Sequence, residues 1–195
     1  IGFQEDAGLR IQGGAFRSYG LTAKNSFRLA FRGEYGATKL NYPLFGEDNP
    51  SEFDNLILRM ESNDGWQWSG GNSEKLFARD QFGRETQLAM GQPAPHGTRM
   101  HVYLNGHYWG MYNPVERPDE GFAETYYGGD KDDYDVIKSG EIQEGSSAAW
   151  NTLRSLSQSV ANGASAQVRT ERYMQVLGKN PDGTPNPAFP VYLDA

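Results

Sequence analysis

Apolar and polar residues alternate most cleanly over 100–104, where Met100, Val102 and Leu104 share one face and His101 and Tyr103 the other. A period of two predicts a half-buried strand. Asn105-Gly106 follows, and both residues tolerate positive φ, so residues 107–112 are expected to return as the second arm of a type I′ hairpin. Pro114 and Pro118 lack an N–H and are expected to end the ladder, leaving Val115, Glu116 and Arg117 extended between them. Asp119 then caps a short helix with Phe122 and Tyr126 four apart on one face and Gly128 as its stop.

The same alternation recurs upstream. Leu9 and Ile11 alternate with Arg10 and Gln12, a glycine turn follows at Gly13-Gly14, and Phe27, Leu29 and Phe31 then oppose Arg28, Ala30 and Arg32. Residues 54–60 predict a further strand, with Leu56, Leu58 and Met60 inward and Arg59 outward. A Gly-, Pro-, Asn- and Tyr-rich loop is expected over 33–50. A long turn then carries Trp66 and Trp68, which either pack as a lid or stack on a sugar or base.

Helical spacing first appears over 73–90, with Ser73 as N-cap and Gly91 at the end. Asp80 and Arg84 fall four apart there with the acid first, Glu85 lies beside them, and Gly83 hints at close packing. Two more helices are expected over 147–162 and 166–177, closed by Gly163 and Gly178, before a proline-rich stretch. These elements predict an α+β fold, an antiparallel sheet of about five strands with a packed helix.

Composition narrows the chemistry. The 195 residues suffice for one sizeable core and part of a second. The absence of cysteine excludes disulfides, a thiol nucleophile and thiolate metal sites, and no apolar run is long enough to span a membrane. The net charge of −7 is unevenly spread: six basic residues against three acidic over 2–39, but ten acidic against three basic over 116–144. That polarity suits a small anionic ligand gripped at one end, and it argues against nucleic acid. A glycine turn between strands, followed by Lys24, can hold phosphate, although it is neither a Walker A sequence nor GxGxxG. Asp130, Asp132 and Glu141 have the spacing of a calcium loop, but Tyr134 and Asp135 stand where a ligand and a glycine are required, so these acids read as a solvated turn.

The segment YLNGHYWGMYNPVERPDEGF resembles the signature of the CotH family, atypical kinase-like proteins first associated with bacterial spore coats. The resemblance implies a kinase-like N-terminal lobe and hinge over 1–118, the start of a helical second lobe over 119–180, and a linker with a further element over 181–195. It implies ATP-dependent phosphoryl transfer to protein serine or threonine with Mg2+, hence a nucleotide and a protein substrate as partners. A cell-envelope, spore-coat or extracellular bacterial location goes with it. Arg10, Gly13, Arg17 and Lys24 fall on the family's arginine-glycine loop and lysine, but Ala15 and Phe16 replace its usual serines.

By the same resemblance Arg17 and Lys24 are expected to meet phosphates, and Tyr112 and Glu116 to border the adenine. A buried lysine needs a counter-charge, and Asp80, Glu85 or Glu116 are the expected partners. No catalytic base or metal ligand is assigned, because kinase-like folds keep these in the second lobe. The chain ends before such a segment, so it is expected to be inactive by itself. Two competing readings are a non-catalytic coat or envelope interaction module using Trp66, Trp68 and Trp109, and a glycoside hydrolase with Glu116 and Asp119 as its acid and base.

Overall fold

The computed structural model describes residues 2–66, 68 and 75–188. In chain order these form β1 (Gly8–Gln12), β2 (Ser26–Ala30), β3 (Leu40–Asn41), β4 (Glu52–Phe53), β5 (Asn55–Arg59), α1 (Arg79–Ala89), β6 (Met100–Leu104), β7 (His107–Glu116), α2 (Glu120–Tyr127), β8 (Val136–Lys138), β9 (Glu141–Glu144), α3 (Ala148–Ala161) and α4 (Ala166–Val176). The fold is α+β, and its main sheet has five strands in the order β1-β2-β5-β7-β6, all neighbours antiparallel.

The hairpin forms as its turn residues require. Asn105 and Gly106 have φ of 50° and 81°, and Leu104 pairs with His107 across the turn. Pro114, however, does not end the ladder: β7 continues to Glu116, with Leu58 opposite Pro114 and Leu56 opposite Glu116. By alternation, Asn113 and Val115 direct their backbone groups toward β5, while Pro114 and Glu116 direct theirs toward segment 96–98. There the bonds run from Thr98 N–H to the Pro114 carbonyl and from Glu116 N–H to the His96 carbonyl. The N–H that proline lacks is therefore not one the β5 pairing uses.

Register sorts the side chains onto two faces. Phe27, Leu58, Met60, Val102 and Tyr112 form one buried cluster, and Phe31, Leu40, Phe53 and Leu56 a second, which the loop over 33–50 covers with Tyr42, Leu44 and Phe45. The alternate positions, Arg10, Arg28, Ile57, Arg59, Asn113 and Val115, belong to the other face. Helix α1 lies against that face through polar groups, and none of its residues is buried.

Helix α1 begins at Arg79, six residues later than its sequence suggests. Ser73, the expected cap, lies outside the described residues. The cap is Asp64, whose carboxylate accepts from the backbone N–H groups of Leu76, Ala78 and Arg79 at 3.3, 3.0 and 3.1 Å. Phe77, with φ of 56°, turns the chain just before the helix. Gly83 is exposed, and a Cβ there would meet nothing within 4 Å, so its presence reflects no close packing.

The chain divides into two compact units, Ile1–Lys131 and Asp132–Ala195. The division falls after Lys131, and α2 is tied to the sheet of the first unit. Asp119 caps α2 by accepting from Phe122 N–H, and it also accepts from Asn55 of β5 at 2.9 Å. The second unit contains the β8–β9 hairpin and the packed pair α3 and α4, close to their expected bounds.

Candidate functional site

Lys24 lies just ahead of β2 and is only 7% exposed. Its ammonium donates to the Met111 carbonyl at 2.6 Å and stands 4.0 Å from the centroid of the Tyr112 ring and 5.7 Å from that of Phe77. Gly110 makes this approach possible, since a Cβ there would stand 3.0 Å from Nζ. Burial pulls the pKa of Lys24 down to about 8.

The structure thus brings Lys24 and Tyr112 together, but it gives the lysine none of the three expected carboxylates. Asp80 is held by Arg59 at 3.3 Å and by Arg84 at 3.0 Å. Glu85 accepts from Gln81 within the helix. Glu116 is enclosed at the far end of β7, where it accepts from the Tyr126 hydroxyl at 3.0 and 2.9 Å and from His96 N–H at 2.7 Å. His96 Nδ1 lies 3.0 Å from the same carboxylate. Burial and the adjacent Glu116 charge push the Tyr126 hydroxyl strongly up, so it remains a donor. Glu116 is accordingly the hub that fixes α2 to the sheet. Arg17 is exposed, in a 3-10 turn between β1 and β2.

A second constellation joins the sheet to α1, and of its contacts the sequence foresaw the Asp80–Arg84 pair alone. Arg59 pairs with Asp80, Asp80 with Arg84, and Arg84 donates to Asn113 Oδ1 at 2.6 Å and to the Pro95 carbonyl at 2.9 Å. Asn113, only 1% exposed, donates in turn to the Thr98 carbonyl. Beside this network Glu61 is buried with φ of 66°, and neither of its carboxylate oxygens has a hydrogen bond. Burial raises its pKa, against the pull of Arg59. The period of two placed Arg59 outward, opposite Leu56, Leu58 and Met60, and only the fold shows that α1 and its acid lie on that side.

The two loop tryptophans both touch other side chains, although Trp66 stays 63% exposed. Trp66 stacks on Phe77 at 5.3 Å, and Trp68 lies 6.3 Å from Phe16 and 4.1 Å from the Lys75 ammonium. The hairpin tip exposes other rings, with Tyr103, Tyr108 and Trp109 at 62%, 56% and 45% exposure. No described helix is long and apolar enough to cross a membrane.

The sequence profile of the family described as CotH kinase protein matches residues 9–181. No curated protein and no solved structure matches the chain.

Proposed function

Because the chain belongs to the CotH kinase family, we propose that its sheet-bearing unit binds ATP for phosphoryl transfer to protein serine or threonine, as part of an atypical kinase. The observation that carries this reading is the Arg59–Asp80 link. A cation on a central strand meets an acid on the first long helix, which is how protein kinases tie the phosphate-contacting strand to its regulatory helix. Arginine suits the part, since it stays charged and presents several donors in a fixed plane.

Lys24 remains a candidate second cation. One of its ammonium protons goes to Met111, which leaves two donors. Arg17 and Glu116 enter the same reading as nucleotide-site candidates, with Glu116 acting by position, since its oxygens are engaged by Tyr126 and His96. Tyr112, expected beside the adenine, is instead fully buried in the core and can act only by holding Lys24. Magnesium bound with ATP supplies charge neutralisation at the phosphates. The described residues contain no group of three acidic or histidine side chains arranged for a metal, so no protein ligand is assigned to it. The family's association supports a bacterial spore-coat or envelope location.

Titrating the purified chain with ATP and magnesium tests the reading. Saturable binding that ADP displaces, and that Arg59→Met weakens without unfolding the chain, is the expected result. Absence of nucleotide binding would favour the second reading, a non-catalytic coat or envelope interaction module, for which the exposed Tyr103, Tyr108 and Trp109 offer contact area.

A further inference from the structure

Arg10 and Arg28 stand directly opposite each other on β1 and β2. Like charges at such positions repel, so the pairing weakens the sheet unless something lies between them. Four of the carboxylates around them are matched to other cations, Glu34 to Arg32, Glu52 to Lys39, Asp54 to Lys131 and Asp119 to Arg117, and the one in the Arg28 groove without an ion pair among the described residues is Glu120. Neither Arg10 nor Arg28 forms a salt bridge among the described residues. Arg28 Nε is buried without a hydrogen-bond partner.

Two grooves share Arg28, Ala30 and Arg32. One adds Arg10 and Tyr35, and the other adds Lys39, Asn55, Glu120 and Lys131. In the second groove Asn55 Oδ1 and Glu120 Oε2 are likewise buried without partners. One end of the site therefore has surplus cationic donors, and the other has acceptors in need of hydroxyl or amine hydrogens. Phosphate meets the first requirement, because its oxygens take paired N–H donors from guanidinium groups. A sugar meets the second.

We propose that the Arg10–Arg28 pair and its two grooves form an oligophosphate site, which takes the phosphates of a nucleotide at the arginines and its hydroxyl-bearing part beside Asn55 and Glu120. The identity of the oligophosphate as a nucleotide rests on the ATP reading above; the anion site itself does not. The bound anion bridges the two arginines and removes their repulsion. It also offsets the effect of burial, Arg117, Arg10 and Arg32, which disfavour the Arg28 charge against the opposing pull of Asp119.

The test titrates ATP and inorganic tripolyphosphate, separately, into the wild type, Arg28→Gln, Arg10→Gln and, as a control for net charge, Lys138→Gln in the second unit. Arg10 is on the exposed edge strand, so its variant keeps the test valid if Arg28→Gln fails to fold. The expected result is a loss of about tenfold or more in affinity for both probes in each arginine variant, with none in Lys138→Gln. ATP binding that is unchanged in both arginine variants overturns the site and leaves the ATP reading standing. Arginine-dependent binding of tripolyphosphate, with no binding of ATP, upholds the anion site and overturns the nucleotide as its source. Binding of neither probe by the wild type overturns both.

Discussion

Lys24 and Met111 are 87 positions apart in sequence, yet the lysine ammonium spends its shortest hydrogen bond, 2.6 Å, on the Met111 main-chain carbonyl. A carbonyl offers a partial charge where a carboxylate would offer a full one. Desolvation therefore prevails, and the folded pKa falls to about 8 from 10.5.

The consequence is a pH-dependent cost. Between the folded pKa and the unfolded one, the unfolded chain binds more protons, so stability rises with pH across that window; below it the cost is complete. The shift corresponds to about 3 kcal/mol at most, and the Met111 hydrogen bond returns about 1. Lys24→Met should therefore stabilise the chain by roughly 1–2 kcal/mol at pH 7. The gain should shrink as pH passes 8 toward 10.5. Urea denaturation at pH 7 and pH 10 measures it, and a destabilised variant at pH 7 would show that the lysine is better compensated than its contacts suggest.

What could be read from the sequence was what neighbours in sequence decide. The hairpin, the cap and face of α2, and both later helices depend on turn chemistry and period within a dozen or so residues, and each formed near its expected place. The start of α1 was illegible because its capping carboxylate, Asp64, comes from 14 and 15 residues upstream. Pro114 misled because a missing N–H disrupts only one side of a strand, and the side is set by which neighbour β7 meets there. The partner of Lys24 was likewise a matter of fold: the acids that helical spacing offered were taken by Arg59, Arg84 and Gln81.

Asp64 gives a prediction of the opposite sign. Burial alone would raise its pKa, but the backbone N–H groups of Arg79, Ala78 and Leu76, with the Arg79 guanidinium, hold it below the usual aspartate value. A depressed carboxylate contributes stability that is present above its unfolded pKa and is lost as pH falls toward the folded one. Asp64→Ala should cost about 1–2 kcal/mol at pH 7. Its deficit should narrow below pH 3.8, the ordinary aspartate value. Parallel denaturation of the two proteins at pH 7 and pH 3 would detect this, and a deficit that stays constant would exclude the ionised cap as its source.

Gly83 tests whether the open space beside α1 is empty. It is exposed within the helix, and a Cβ would meet nothing. Gly83→Ala should raise stability by about 0.5–1 kcal/mol through the lower entropy of the unfolded chain. Thermal unfolding reads the shift. A fall in the melting temperature would mean that this face of α1 is occupied in solution.

Glu61 is the sharpest case, because it combines a left-handed backbone, complete burial of both carboxylate oxygens and no hydrogen bond to either. Burial raises its pKa; Asp80 and Asp64 add to the rise, while Arg59 and Arg84 oppose it. Below the unfolded value of 4.5, both states hold the proton and the group carries no ionisation penalty. As pH climbs above that value, the unfolded chain releases the proton first, so stability falls until the folded pKa is passed. Glu61→Gln keeps the shape and the polar atoms but cannot titrate. It should match the wild type within about 0.5 kcal/mol at pH 3.5 and exceed it by about 1–2 kcal/mol at pH 7. Comparing the two proteins by denaturant unfolding at both pH values reads the effect of the Glu61 charge, including its repulsion with Asp64 and Asp80. A variant less stable than wild type at pH 7 would mean that the Glu61 charge is compensated by Arg59, and that the Arg59–Asp80 link shares its cation with a second acid.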